Sequence, residues 1–189
     1  MAANEQSLRR IPAFRFAVPA ALAVTLVWGG AIAATLWVRP PAGIQLTAQF
    51  GHLLALCAGF GAVLVIDTCG LLFLTGRQGA AQTMRVVSAA DPVVWLGYAG
   101  LVVTGALLEP DLDSPLTWLK LAAVLVTGLN GIHARLLTRE LAALPGDPSF
   151  GGLSRAQRVR LLLSGTASQA AWWTAILVGF WHNQAASVA

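Results

Sequence analysis

The sequence predicts an all-α polytopic membrane protein, a bundle of five transmembrane helices. Hydrophobic residues make up 57% of the 189 residues and charged residues only 11%, whereas a soluble domain carries about 25% charged residues. Because so few charges cannot cover a surface facing water, most of the surface must face lipid. The apolar residues also form runs of about 20 residues, the length that a helix needs to cross a bilayer. These observations exclude an ordinary soluble protein.

Five apolar runs have this length, and signals of helix ends separate them. Arg39-Pro40-Pro41 follows the first run, Ser114-Pro115 precedes the fourth, and a capping-box pattern from Ser154 to Gln157 opens the fifth. The runs lie at 15–38, 46–75, 86–108, 116–138 and 160–183. We therefore expect a cytoplasmic segment at 1–14, a single transmembrane domain at 15–183 and an external tail at 184–189.

The basic residues predict how the bundle is oriented. With five spans, all but Arg39 and Lys120 of the 12 basic residues fall on the side of the N-terminus. The positive-inside rule places that side in the cytoplasm and the C-terminus outside. We expect a multi-pass protein of a bacterial inner (plasma) membrane. The net charge of +4 then reflects topology, so the expected partner is membrane lipid and not nucleic acid.

Four polar residues fall in the cytoplasmic half of the predicted spans. Asp67 lies on helix two, Asp91 on helix three, and Asn130 and His133 one turn apart on helix four. Ionisable groups at this depth are costly and usually face the bundle interior. If the four side chains converge, they could relay protons or bind a cation. This interpretation predicts a proton-coupled transporter of a small solute or metal ion, which in so short a chain would need to oligomerise.

A structural role for the same carboxylates is the alternative. Asp67 and Asp91 could pair with arginines such as Arg85 and Arg135 and hold the helices in register. Asp91 also precedes Pro92 close to the predicted start of helix three, where a carboxylate commonly accepts hydrogen bonds from the free amides. The sequence leaves both roles open.

The outer half of the spans contains a second polar group. His52, Lys120 and His182 fall near the same interface. A neutral imidazole binds iron, copper or zinc, and histidines on facing helices can hold a haem iron. Glycines follow His52 at Gly59 and Gly61, and they either leave space for a macrocycle or let helices approach closely. These residues predict a metal or haem site between helices two, four and five, with His52 and His182 as metal ligands.

Three segments resemble a known group of membrane proteins. They are His52-Leu53-Leu54-Ala55 followed by Gly59-Phe60-Gly61, the block from Val94 to Gly105, and Trp118-Leu119-Lys120-Leu121. Over residues 46–138 the chain resembles the small bacterial proteins that include copper-resistance D-type proteins and the haem-containing membrane protoporphyrinogen oxidases. The resemblance implies that His52 and Lys120 form the haem-side or metal-side pair. It implies haem b as cofactor, or copper or iron.

The sequence therefore predicts binding of a redox cofactor, most simply b-type haem, for electron transfer or membrane redox chemistry. The transporter using Asp67, Asp91 and His133 stays open as an alternative. A third alternative is a non-catalytic accessory subunit, in which small-residue faces such as Gly29-Gly30 or Gly97-x-x-Gly100 contact partners. A homo-oligomer or a larger membrane complex is expected. The sequence does not decide whether the chain is an enzyme, and it gives no substrate.

Overall fold

A computed structural model describes the backbone of residues 11–188 and the side chains of residues 16–181. Within these residues the chain is all-helical, as predicted, and five helices are long and apolar enough to cross a membrane. The five helices are α1 (Ile11–Thr35), α2 (Ala42–Leu74), α3 (Ala80–Leu107), α4 (Pro115–Ala142) and α5 (Arg155–Val188), and a short 3-10 helix (Phe150–Gly152) precedes α5.

The helices do not begin and end where the apolar runs do. Helix α3 begins at Ala80 and α5 at Arg155, several residues before the runs predicted at 86 and 160, and α4 continues to Ala142. Polar first and last turns are invisible to a count of apolar residues, although they form the same backbone hydrogen bonds. The predicted capping box is confirmed: the Ser154 N–H donates to Gln157 Oε1 at 3.0 Å, and the Gln157 N–H donates to Ser154 Oγ at 3.3 Å.

The helices pack as two hairpins and one flanking helix. Helix α2 runs along α3, and α4 runs along α5. Helix α1 lies against α4 and α3, and the Trp28 indole N–H donates to the Leu121 carbonyl of α4 at 2.9 Å. We call the end at which α1, α3 and α5 begin the basic end, because most of the basic residues lie there. The other end is the opposite end.

Glycines allow α2 and α3 to touch backbone to backbone. A Cβ atom at position 97 would lie 2.5 Å from the Gly59 Cα atom and 2.8 Å from the Ala55 carbonyl oxygen, and one at position 100 would lie 2.8 Å from the Ala55 Cβ atom. The expectation that Gly97 and Gly100 present a contact face to another protein is therefore wrong. Both glycines are covered by α2 of the same chain, because only residues without a side chain fit at this crossing.

A small apolar core closes the basic end. Phe73 of α2, Ala80 of α3, Leu141 of α4 and Leu153 are each at most 4% exposed and pack together. The loop before α5 is tied to the same place, because Asp147 Oδ1 accepts a hydrogen bond from the Ala81 N–H at 2.7 Å. The carboxylate thereby satisfies one of the free amides in the first turn of α3.

Candidate functional site

A cavity of about 910 Å³ lies between α2, α3, α4 and α5, in the half of the bundle nearer the basic end. Its volume falls in the range of small-molecule sites, roughly 300–1,000 Å³. Towards the basic end it is limited by the apolar core around Phe73 and Leu141, which also contribute to its wall. Towards the opposite end, Trp172 of α5 packs against Gly59 and Phe60 of α2.

The cavity opens sideways between α2 and α5. These two helices pack directly at few points, whereas α2 against α3 and α4 against α5 are packed along their lengths. Three cavity-lining side chains along this gap are largely exposed: Leu71 of α2 at 60%, and Leu162 and Trp173 of α5 at 48% and 46%. In a bilayer this apolar opening would face lipid.

Asp67 lies in the wall of the cavity and is held by a chain of hydrogen bonds from α5. The Trp173 indole N–H donates to Gln169 Oε1 at 3.0 Å, and Gln169 Nε2 donates to Asp67 Oδ2. An indole nitrogen can only donate, so it fixes which end of the Gln169 amide faces Trp173. The amide must then present its NH₂ group to Asp67. The carboxylate accepts at Oδ2, and Oδ1 has no hydrogen-bond partner among the described residues.

Asp91 also lines the cavity, but its charge is balanced. Arg135 of α4 donates to Asp91 Oδ2 through Nε at 2.8 Å and also through a terminal nitrogen. The Arg135 guanidinium carbon lies 5.2 Å from the centre of the Trp95 ring, a cation–π distance. The alternative of pairing with an arginine is confirmed for this aspartate.

The expectation that Asp91 serves the free amides at a helix start is wrong. Helix α3 begins at Ala80 and continues through Pro92, so Asp91 lies in the helix interior, where the amides already have partners. Pro92 has no N–H, which leaves the Ser88 carbonyl without its helical donor. Ser88 is itself one of the residues that line the cavity.

Of the other two residues predicted for a proton or ion path, Asn130 lines the cavity and His133 does not. Asn130 lines the cavity, where its amide donates to the Ser164 carbonyl and its Oδ1 accepts from Ser164 Oγ, both at 3.0 Å. His133 is not among the cavity-lining residues and lies within electrostatic range of Arg160 and Glu140, which form an ion pair at 2.7 Å. The structure therefore brings Asp67, Asp91 and Asn130 to one cavity and places His133 outside it.

The predicted outer residues lie nearer the opposite end of the bundle. His52 Nδ1 is 2.8 Å from Thr104 Oγ1 of α3, and the Thr104 hydroxyl is 2.5 Å from the Gly100 carbonyl. The hydroxyl has one proton and gives it to the carbonyl, so the His52 Nδ1–H must be the donor to Thr104. The lone pair of His52 Nε2 is left available for a ligand. Gly105 adjoins the ring, since a Cβ atom there would lie 3.5 Å from His52 Cε1.

The other two predicted outer residues are Lys120 and His182. The structure describes the side chain of Lys120 but not that of His182. The Lys120 amine lies beside α5, where a Cβ atom at Gly179 would be 3.7 Å from Nζ, and it is within electrostatic range of His52. The side chain of His182 lies outside the described residues. Over the part of the chain that is described, no group of three or more histidine, cysteine or acidic side chains could hold a metal ion.

Gln169, Trp172 and Trp173 belong to the cavity but were not among the predicted site residues. A search for ionisable groups passes over a neutral amide and treats tryptophans in an apolar span as packing. The available signal was a glutamine in the middle of an apolar run, four residues before a tryptophan, because that spacing puts both side chains on one helix face.

Comparison with known proteins gives no relative: no family model, no curated protein and no solved structure matches the chain. The resemblance to copper-resistance D-type proteins and haem-containing oxidases therefore stays a prediction.

Proposed function

We propose that this protein binds a small, largely apolar solute in the cavity between α2 and α5 and moves it across the membrane coupled to a proton, with Asp67 as the ionisable group. The observation that supports this proposal is a carboxylate with no basic partner among the described residues, in the wall of a cavity between four candidate membrane spans. Charges at this depth are expensive, and those without a structural partner commonly mark solute or proton paths.

A comparison of the carboxylates in the described spans makes Asp67 stand out. Asp91 pairs with Arg135, and Glu140 pairs with Arg160. Over the part of the chain that is described, the hydrogen-bond partner of Asp67 is the neutral amide of Gln169. A carboxylate that holds two helices together forms its strongest hydrogen bonds with an arginine. Two of the three carboxylates have an arginine partner. Asp67 differs from the other two because no basic partner among the described residues balances its charge.

A variant that fills the cavity tests this function. Gly70 lines the cavity, and a Cβ atom there meets nothing within 4 Å, so Gly70→Phe should place a ring in the cavity without disturbing the backbone. We expect the affinity for a bound solute to fall at least about tenfold, a loss of about 1.4 kcal/mol. Binding is measured on purified protein in detergent with tetraphenylphosphonium, triphenylphosphine oxide and tetraphenylborate, which are cationic, neutral and anionic.

Gly61→Phe is the matched control, because Gly61 lies on the same helix, is equally open and does not line the cavity. This variant should bind as the unsubstituted protein does. If the unsubstituted protein binds none of the three probes, or if Gly70→Phe binds them equally well, the cavity is not a solute site and the proposal fails.

The orientation and membrane form part of the proposal. The basic end would lie in the cytoplasm of a bacterial cell, with the C-terminus outside, and a homo-oligomer would complete the path for the solute. Two observations support this orientation: most arginines lie at the basic end, and five helices could span the membrane.

We expect a reporter fused after Ala189 to be active only if it works outside the cytoplasm, because an odd number of spans places the two termini on opposite sides. The measurement compares alkaline phosphatase, which works in the periplasm, with a cytoplasmic fluorescent protein at the same fusion site. Activity of the cytoplasmic reporter alone would contradict the orientation.

A redox cofactor is the second candidate function, and His52 is the observation that favours it. The bond from its Nδ1–H to Thr104 fixes the tautomer in which Nε2 can bind a metal. These residues fit one axial ligand of a b-type haem, or one ligand of copper or iron. When bound, such a group would supply one-electron chemistry at the metal. His52 does not line the cavity between α2, α3, α4 and α5.

If the cofactor is present, His52→Ala should remove its absorption, because alanine offers no ligand atom. The measurement is the visible spectrum and metal content of protein from cells supplied with haem and iron. His133→Ala is the control, since it changes a histidine near the basic end and should leave the signal nearly intact. A colourless, metal-free unsubstituted protein would contradict this second candidate.

A further inference from the structure

The cavity carries an excess of negative charge at one place. Arg135 and Asp91 neutralise each other. The remaining cation of the wall, Arg139, is exposed in the last turn of α4. None of the ion pairs among the described residues includes Asp67, so a cationic ligand would gain a charge pair with it in surroundings of low dielectric.

Two tryptophans of α5 lie at the end of the cavity where Gln169 anchors Asp67, Trp173 46% exposed and Trp172 3% exposed. Trp173 makes an edge-to-face contact with Phe60, with 5.3 Å between the ring centres. Its indole N–H is the donor to Gln169, which in turn donates to Asp67. Trp172 lies 5.6 Å from the same phenylalanine ring. Both tryptophans line the cavity. Aromatic rings in the same cavity wall as a carboxylate favour organic cations.

A metal ion is a poorer match to this site. Magnesium and calcium take six or more oxygen ligands, whereas Asp67 has one unpartnered oxygen, and no metal-ligating group of three residues occurs among the described residues. The cavity of about 910 Å³ is also far larger than an ion, and much of its wall is apolar. Size and lining favour a solute with a bulky apolar body.

We infer that the substrate class is a hydrophobic organic monocation, whose charge pairs with Asp67 beside Trp172 and Trp173 and whose apolar body fills the cavity, and that it enters from the lipid between α2 and α5. This inference rests on the proposed function and deepens it. The exposed Leu71 and Leu162 beside the opening suit a ligand that partitions into the bilayer before it binds.

Two probes of the same shape and opposite charge test the inference. Tetraphenylphosphonium and tetraphenylborate are titrated into purified protein in detergent, with triphenylphosphine oxide as the neutral probe. We expect the cation to bind at least tenfold more tightly than the anion. Asp67→Asn should lower affinity for the cation at least tenfold while changing affinity for the neutral probe little. Asp67→Glu, which restores the charge one methylene further out, should recover part of the cation affinity.

Glu140→Gln is the control for loss of a carboxylate, because Glu140 is paired with Arg160 and does not line the cavity. Thermal unfolding of each variant shows whether it is folded. If the neutral or anionic probe binds as tightly as the cation, or if Asp67→Asn keeps full cation affinity, the assignment to cations is overturned while solute binding in the cavity stands. If no probe binds, the proposed function fails with it.

Discussion

Replacing Asp67 by asparagine should abolish solute uptake driven by a pH gradient while the bundle still folds. Asparagine keeps the shape of the side chain and can bond to Gln169, but it cannot take up or release a proton. Its bond to Gln169 is the described contact that joins Asp67 to α5, and no arginine is left unpaired by the change. We therefore expect the rate of coupled uptake to fall by about two orders of magnitude or more, with little change in thermal stability.

The measurement is uptake of tetraphenylphosphonium, and separately of neutral triphenylphosphine oxide, into proteoliposomes with and without an imposed pH gradient. Glu140→Gln, which removes a carboxylate outside the cavity, should keep its response to the gradient. Uptake by Asp67→Asn that still follows the gradient would show that the coupling proton is carried elsewhere. A variant that fails to fold would instead give Asp67 a structural role.

The substitution Gly97→Leu should strongly destabilise the contact between α2 and α3. A Cβ atom at position 97 would lie 2.5 Å from the Gly59 Cα atom and 2.6 Å from the Gly59 nitrogen. Those atoms are backbone, so no side-chain rotation can relieve the overlap. The leucine branch would force α2 and α3 apart along the most extensive helix contact of the bundle. We expect a loss of about 3 kcal/mol or more in the free energy of unfolding.

Unfolding in detergent, followed by circular dichroism against temperature or denaturant, measures this loss. Gly61→Leu is the matched control, because a Cβ atom at Gly61 meets nothing within 4 Å, and it should unfold close to the unsubstituted protein. Equal stability of the two variants would mean that the α2–α3 crossing is looser than described.

The five helices that are long and apolar enough to cross a membrane could be predicted from the sequence, because the bilayer sets a minimum length of apolar chain. The first turn of α5 could also be predicted, from the capping box at Ser154 to Gln157, but the polar first turn of α3 could not, since hydropathy carries no information about backbone hydrogen bonds at a helix end. Because the run of apolar residues begins only at 86, the sequence wrongly placed Asp91 near the start of the helix, beside free amides. Once the helix begins at Ala80, Asp91 lies where it can meet Arg135 and not at a free amide.

The polar residues of the site could be predicted from the sequence, but the neutral and aromatic ones could not. Asp67, Asp91 and Asn130 were selected because polar groups are costly inside a bilayer, and the structure brings them to one cavity. Gln169 and Trp173 could not be selected in this way, because their role depends on α5 facing α2, a pairing far apart in sequence. His133 shares a helix with Asn130, yet it lies outside the cavity wall and within electrostatic range of Arg160 and Glu140.

The most direct test of the account is a crystal structure of the protein with tetraphenylarsonium, a cation of the same shape as tetraphenylphosphonium whose arsenic can be located by anomalous scattering. We expect the arsenic peak inside the cavity between α2 and α5, with the phenyl groups against Trp172 and Trp173 and the charge beside Asp67. A peak at His52 or on the lipid-facing surface, with the cavity empty, would contradict the central claim that this cavity is the functional site.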